Sequence, residues 1–143
     1  MARFVRDLLQ KKGDAIFSVA PGDSVRTAIE QMAERGVGAL LVMEGERLAG
    51  IVSERDYARQ VILKGRSSKD TPVSDIMSSR VVCVHPERTI EECMALMTER
   101  RIRHLPVVAE DRVTGVISIG DVVSAVIAER DFQIKQLESY ISG

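Results

Sequence analysis

The apolar positions of this chain change period several times, and each change marks an element. Val25, Ala28, Ile29, Met32 and Ala33 recur at the spacing of one helical face. Ser24 stands where an N-cap is wanted, and Gly36 where a helix stops. The run Ala39-Leu40-Leu41-Val42-Met43 is continuous rather than alternating, which predicts a strand buried on both faces. Glu44-Gly45-Glu46-Arg47 turns it, Leu48 to Val52 returns as a second strand, and Ser53 opens a helix carrying Tyr57, Ala58, Val61 and Ile62. Upstream, Phe4-Val5-Arg6-Asp7-Leu8-Leu9 predicts one or two helical turns, and Ile16-Phe17-Ser18-Val19 a short strand before the turn at Pro21-Gly22.

The pattern then repeats. Residues 16–62 align with 81–127 without a gap, with identities at Val19/Val84, Pro21/Pro86, Met32/Met97, Leu40/Leu105, Val42/Val107, Gly50/Gly115, Ser53/Ser118 and Asp56/Asp121. Thr89 and Glu92 have the spacing of a capping box for the second long helix. Pro106 replaces Leu41, which suits a strand start or a distorted part of a strand. The order strand, helix, strand, strand, helix is therefore predicted twice, a mixed α/β chain of the α+β kind. Each half is too small to bury its sheet well, and two halves related by a pseudo-two-fold can cover each other. Gly65 to Pro72 is polar and turn-rich and reads as a linker. Val73-Ser74-Asp75-Ile76-Met77 is a short helical piece echoing Val5-Arg6-Asp7-Leu8-Leu9. The expected organisation is residues 1–65 as the first repeat with its N-terminal helical segment, 66–80 as linker and short helix, and 81–143 as the second repeat. The tail from Val122 to Ile141 continues as a long helix, with Ile127, Ile134 and Ile141 seven residues apart and Leu137 between. That stripe either packs on its own core or forms a subunit interface.

Bulk properties narrow the function classes. Hydrophobic residues make up 45% of 143 and charged residues 29%, enough for a packed interior and a solvated surface. The net charge of −1, with both signs mixed, argues against a nucleic-acid surface, and 3% aromatics are too few for base stacking. No apolar run approaches the roughly 18 residues that span a membrane. Met1-Ala2-Arg3 leads into a charged amphipathic segment rather than a secretory signal. Cys83 and Cys93 fall in apolar surroundings, so reduced thiols in the cytoplasm are the expectation.

The duplicated stretch with chemical content is Gly50-Ile51-Val52-Ser53-Glu54-Arg55-Asp56 and Gly115-Val116-Ile117-Ser118-Ile119-Gly120-Asp121. Each reads as a strand entering a helix, with Ser at the N-cap and Asp in the first turn. N–H groups at such a terminus attract anions, and a carboxylate one turn on can hold paired sugar hydroxyls. A purely structural reading, a first-turn acid that favours the helix dipole, is the alternative for each Asp. Two copies at fixed spacing weigh against it.

Together, Val73-Ser74-Asp75-Ile76-Met77, Val84-x-Pro86, Arg101-Ile102-Arg103-His104-Leu105-Pro106-Val107-Val108 and Gly115-x-x-Ser118-x-x-Asp121 resemble the CBS-domain pair, or Bateman module, of the small bacterial stand-alone type. The resemblance implies two βαββα repeats packed through their sheets, with clefts for adenine nucleotides. AMP and NAD come first, with ADP, ATP or S-adenosylmethionine as alternatives. It implies one cleft in which Val52, Ser53, Arg55 and Asp56 face Ser78, Val82 and Ile102. In the other, Ile117, Ser118 and Asp121, with Arg103 and His104, face Lys12, Phe17, Val37 and Gly38. Asp would take the ribose hydroxyls and the Ser and basic groups phosphate. The clefts differ: Arg55 has Gly120 as its counterpart, and Arg103-His104 stand where the first half has Gly38-Ala39. The family also implies a homodimer and a regulated partner protein.

Competing chemistry is thin. Cys83, His85 and Cys93 lack a second tight ligand pair, so no metal site is expected. No G-x-S-x-G elbow, Walker loop or Cys/His nucleophile pair appears, and two histidines leave few general bases. A non-enzymatic nucleotide sensor is the expected function; a structural or assembly module with vestigial clefts is the alternative.

Overall fold

The computed structural model describes residues 2–142, so the outermost residue at each end of the expected ranges lies outside it. Its elements are α1 (Val5–Lys12), β1 (Ser18–Val19), α2 (Val25–Arg35), β2 (Ala39–Glu44), β3 (Arg47–Ser53), α3 (Glu54–Tyr57), α4 (Ile90–Arg100), β4 (His104–Ala109), β5 (Arg112–Ser118) and α5 (Ile119–Ser142). A wider π turn, Ala58–Ile62, prolongs α3, and a 3₁₀ turn spans Val73–Asp75.

The two long helices start and stop as their sequences require. Ser24 Oγ accepts the Thr27 N–H at 3.1 Å. Glu92 Oε1 accepts the Thr89 N–H and Thr89 Oγ1 the Glu92 N–H, both at 3.1 Å, completing the capping box. α2 ends at Gly36 in the left-handed region, φ 65°. α4 ends in the same conformation at Arg101, φ 55°, where a side chain costs about 1–2 kcal/mol that glycine avoids.

In the first repeat β1 pairs parallel with β2, and β2 antiparallel with β3, with Leu40 opposite Val52 and Ala39 opposite Ser53. In the second, β4 and β5 pair identically, with Leu105 opposite Ile117 and His104 opposite Ser118. Both hairpins shift register at the same place, between Val42 and Met43 and between Val107 and Val108. The second repeat departs from expectation in its first strand, which shrinks to one parallel bridge between Val84 and Val107. Pro106 explains the loss. Its counterpart Leu41 donates its N–H to the Phe17 carbonyl at 3.2 Å, which anchors β1. Proline has no N–H to give. The backbone bonds Val84 N–H to the Pro106 carbonyl, 3.0 Å, and Val108 N–H to the Val84 carbonyl, 2.9 Å, join the shortened segment to β4.

The chain folds as two compact units, Ile16–Val82 and residues 2–15 with 83–142. Each repeat is thus completed by the segment that precedes the other repeat. Val5 N–H donates to the Arg88 carbonyl at 2.9 Å, and its echo Val73 N–H to the Asp23 carbonyl at 2.8 Å. Arg6 N–H meets the Pro86 carbonyl and Ser74 N–H the Pro21 carbonyl, each at 2.9 Å. The return bonds match, Ile90 N–H to Arg3 carbonyl at 3.0 Å and Val25 N–H to Thr71 carbonyl at 2.9 Å. The stretch read as a linker is therefore docked: Thr71 is buried, its Oγ1 donating to the Ser67 carbonyl at 2.6 Å. Val73 and Ile76 join the core of Val19, Val25, Ala28, Met32, Leu40, Val42, Ala49, Val52 and Val61. Val5 and Leu8 are buried in the unit that also buries Val84, Ile90, Cys93, Met97, Leu105, Val107, Ile117 and Val122.

Two glycines make that docking close. A Cβ on Gly50 would lie 2.7 Å from the Ser78 carbonyl oxygen and 2.8 Å from Met77 Sδ, and one on Gly115 would lie 2.7 Å from Leu9 Cδ2. A backbone carbonyl held by its own ladder cannot retreat, whereas a leucine methyl can rotate away. Gly50→Ala is therefore expected to cost about 1–3 kcal/mol and Gly115→Ala less, as read from urea midpoints at unchanged slope. Equal losses, or a larger loss at Gly115, would contradict the docking geometry.

Candidate functional site

Both strand-to-helix corners form as two near-copies. At the end of β3, Ser53 is the N-cap of α3, and Asp56 sits three residues on. Asp56 Oδ2 accepts the Ser53 N–H at 2.9 Å and the Ser53 hydroxyl at 3.0 Å, while Ser53 Oγ lies 3.3 Å from the Asp56 N–H. At the end of β5, Asp121 Oδ2 accepts the Ser118 N–H at 2.8 Å, and Asp121 N–H donates to Ser118 Oγ at 3.2 Å. The aspartates thus act as the acidic partner of a capping box, a role beyond that of sugar acceptor. The Ser-x-x-Asp spacing was its signal, since Asp can stand where Glu or Gln closes the usual box.

The corners differ in what else reaches the carboxylate. Lys12, the last residue of α1, places Nζ 2.5 Å from Asp121 Oδ2, with the two side chains 35% and 25% exposed. Partial burial works to raise the Asp121 pKa. The Lys12 hydrogen bond, the Ser118 N–H and the Lys12 charge outweigh it, so the carboxyl titrates below its ordinary 3.8. Beside this pair a groove of about 760 Å³ runs between α1 and α5, lined by Leu8, Lys11, Ser124, Ala125 and Ala128.

The remaining expected site residues divide between the units. With Ser53 and Asp56 in Ile16–Val82 lie Phe17, Val37, Gly38, Val52, Arg55, Ser78 and Val82. With Ser118 and Asp121 lie Lys12, Ile102, Arg103, His104 and Ile117. Val52 and Ile117 are buried at the strand ends, holding the corners rather than presenting a surface. Ser78, expected from the opposite half, is fixed beside its own corner by reciprocal bonds with Ile51, 2.9 and 3.0 Å, because the segment preceding the second repeat docks on the first. The Gly38 carbonyl accepts the Glu54 N–H at 3.0 Å, and the Arg103 carbonyl the Ile119 N–H at 2.8 Å. These two residues hold their helix starts through backbone, and the exposed Arg103 side chain projects from the second. One face of the Phe17 ring is covered by Arg35, 4.8 Å from guanidinium to centroid. Gly120 needs no unusual φ, so it leaves space at that corner without being required by the turn.

Cys83 is exposed, contrary to the apolar setting expected for it, and Cys93 is buried. Among the described residues no cluster of three His, Cys, Asp or Glu could hold a metal ion, and no helix is long and apolar enough to cross a membrane.

Duplicated Ser/Asp corners on paired α+β repeats define a tandem CBS protein. The CBS domain family matches residues 5–62 and 73–128, and the chain belongs to that family, whose paired domains are generally regulatory modules binding adenosine ligands. It is 40% identical over 148 aligned positions to "CBS domain-containing protein CBSX3, mitochondrial" of Arabidopsis thaliana, covering 97% of this chain and 72% of that one. Among solved structures, a protein with CBS domains from Burkholderia ambifaria superposes with a TM-score of 0.85 at 52% identity, covering 87% of this chain and 94% of that one. A CBS-domain protein of Agrobacterium tumefaciens gives 0.84 at 38%, with the same coverage.

The lowered carboxyls predict where acid acts first. Asp7 is held low by the Phe4 and Arg3 N–H groups, Glu92 by the Thr89 N–H and hydroxyl, and Asp121 as described. All three lie in the unit of residues 2–15 and 83–142. A carboxyl with a depressed folded pKa stabilises the fold above its unfolded value and loses that contribution as pH falls through the folded one. Below the ordinary values of 3.8 for Asp and 4.5 for Glu, amide signals of residues 5–12 and 84–122 are expected to collapse before those of 18–62 in an NMR acid titration. The reverse order would contradict the assignment. Lys12→Met should move the Asp121 carboxyl midpoint upward in the same titration.

Proposed function

We propose that this chain is a non-enzymatic sensor of adenine nucleotides, with AMP and NAD the favoured ligands and ADP, ATP and S-adenosylmethionine weaker candidates. The observation that carries the reading is the duplicated corner: a carboxylate fixed by its serine N–H at the head of a strand-to-helix turn, in a family that generally binds adenosine ligands. A carboxylate acceptor suits vicinal ribose hydroxyls, and a neighbouring ammonium suits phosphate. At the second corner these groups are Asp121 and Lys12, and without ligand they satisfy each other. A nucleotide exchanges that pair for two contacts, Asp121 to ribose and Lys12 to phosphate, joined by Ser118, Arg103 and His104. At the first corner Asp56, Ser53 and Arg55 take the same roles. Arg55 against Gly120 makes the two sites unequal in phosphate geometry. Ligand state then passes to a regulated protein or across a homodimer, by favouring the arrangement that the nucleotide binds better. The thiols and the composition fit a cytoplasmic setting.

One observation favours a second reading, an assembly module with vestigial clefts. The Lys12–Asp121 pair gives Asp121 a partner that needs no nucleotide. Thermal unfolding separates the two. At a hundredfold excess over Kd, a ligand that binds only the folded chain adds about 2.7 kcal/mol. The sensor reading expects that stabilisation with AMP or NAD. It expects Asp56→Asn and Asp121→Asn each to remove one calorimetric site while the circular dichroism spectrum is kept. Melting unchanged by all five nucleotides would leave the assembly reading in place. Gly120→Arg is expected to bring the second site's nucleotide preference toward the first's in the same calorimetry; an unchanged preference would show that the cation in the turn does not set it.

A further inference from the structure

The distal half of α5 buries none of its side chains among the described residues. Every residue from Arg130 to Ser142 is exposed. An uncovered helix of this length is marginal in water, and its stability normally comes from burying one face. A face suited to burial is present. Val123, Ile127, Ile134, Leu137 and Ile141 lie 41, 54, 52, 61 and 81% exposed. At the α-helical pitch they fall in a narrow stripe whose spacing alternates four and three residues apart from the break at Arg130, the a/d seam of a coiled coil. Phe132 sits on the opposite side of the helix.

We propose that α5 pairs along this seam, parallel and in register, with α5 of a second copy of the chain. The residue types select that occupant. Ile127, Ile134 and Ile141 take one seam position and Leu137 the other, the β-branched and γ-branched alternation that favours two parallel strands. Asp131 and Glu138 flank the seam on one side, and the uncharged Gln133 and Tyr140 on the other. An antiparallel pair sets acid against acid, whereas a parallel pair sets each acidic flank against the neutral one. Arg130 is the one charged seam residue and adjoins Asp131, so in-register pairing brings each guanidinium to the acidic flank of the other helix. A single polar seam position of this kind fixes register at some cost in stability. Residues 123–142 carry Arg130 and Lys135 against Glu129, Asp131 and Glu138, which is not the basic face a lipid surface requires. The proposal concerns the ligand-free chain and stands apart from the nucleotide reading.

The test is sedimentation velocity of the full chain without nucleotide. The wild type is expected to be a dimer, and the double substitution Ile134→Asp with Leu137→Asp to weaken association roughly tenfold or more. Phe132→Asp, on the opposite side, is expected to leave it unchanged. Far-ultraviolet circular dichroism of each variant checks that the body stays folded. Orientation is read separately: Ile141→Cys in a Cys83→Ser background should form a disulfide-linked dimer on mild oxidation, which only a parallel register allows. A monomeric wild type, a dimer indifferent to charges in the seam, equal disruption by Phe132→Asp, or no cross-link at residue 141 in a dimeric sample would each overturn the proposal.

Discussion

The structure depends on one exchange: each repeat is finished by the chain segment that precedes the other. A lone βαββα repeat of this size leaves one end of its sheet and the first turn of its long helix without partners. α1 fills that place on the second repeat, and Val73 to Met77 fill it on the first, through the same backbone bonds made to equivalent carbonyls. Gly50 and Gly115 are the reason the contact can be so close. The strand that carries each glycine leads within three residues to Ser53 or Ser118. The segment that closes the core therefore also braces the corner.

That arrangement gives each aspartate two duties. Its Oδ2 closes a capping box, so the carboxylate is held at a fixed angle whatever binds to it. In the second repeat the bracing helix also delivers Lys12 to the same oxygen. Structural and ligand-directed roles are thus compatible here, because a group already oriented by the backbone loses little further freedom on meeting a ligand. The second corner opens a helix of 24 residues, about 36 Å long, whose far end carries the uncovered apolar seam. The first corner opens only α3 and a π turn that ends at Ile62.

Much of this was legible in the residues. The duplication, both long helices with their caps, both hairpins and the Ser-x-x-Asp corners follow from local patterns, because capping, turn chemistry and period are local physics. What could not be read lay across the chain. The echo between Val5-Arg6-Asp7-Leu8-Leu9 and Val73-Ser74-Asp75-Ile76-Met77 is visible, but nothing in spacing says that each piece docks on the repeat it does not precede. Ser78, expected from the opposite half, accordingly belongs to the same unit as its corner. Pro106 predicts a distortion where it stands, yet its consequence falls on the Val84 segment, through a missing hydrogen bond. Family likeness implies Lys12 near Asp121, while the ion pair between them is a product of the docked helix.

Amide hydrogen exchange on a variant with Val5→Ala and Leu8→Ala tests the exchange of segments most directly, because both side chains are buried and lie outside either repeated corner. The account predicts that protection falls chiefly in residues 84–122, the repeat that α1 completes, and is largely kept in 18–62, the repeat that α1 precedes. Protection lost mainly in 18–62, or equally in both, would contradict it.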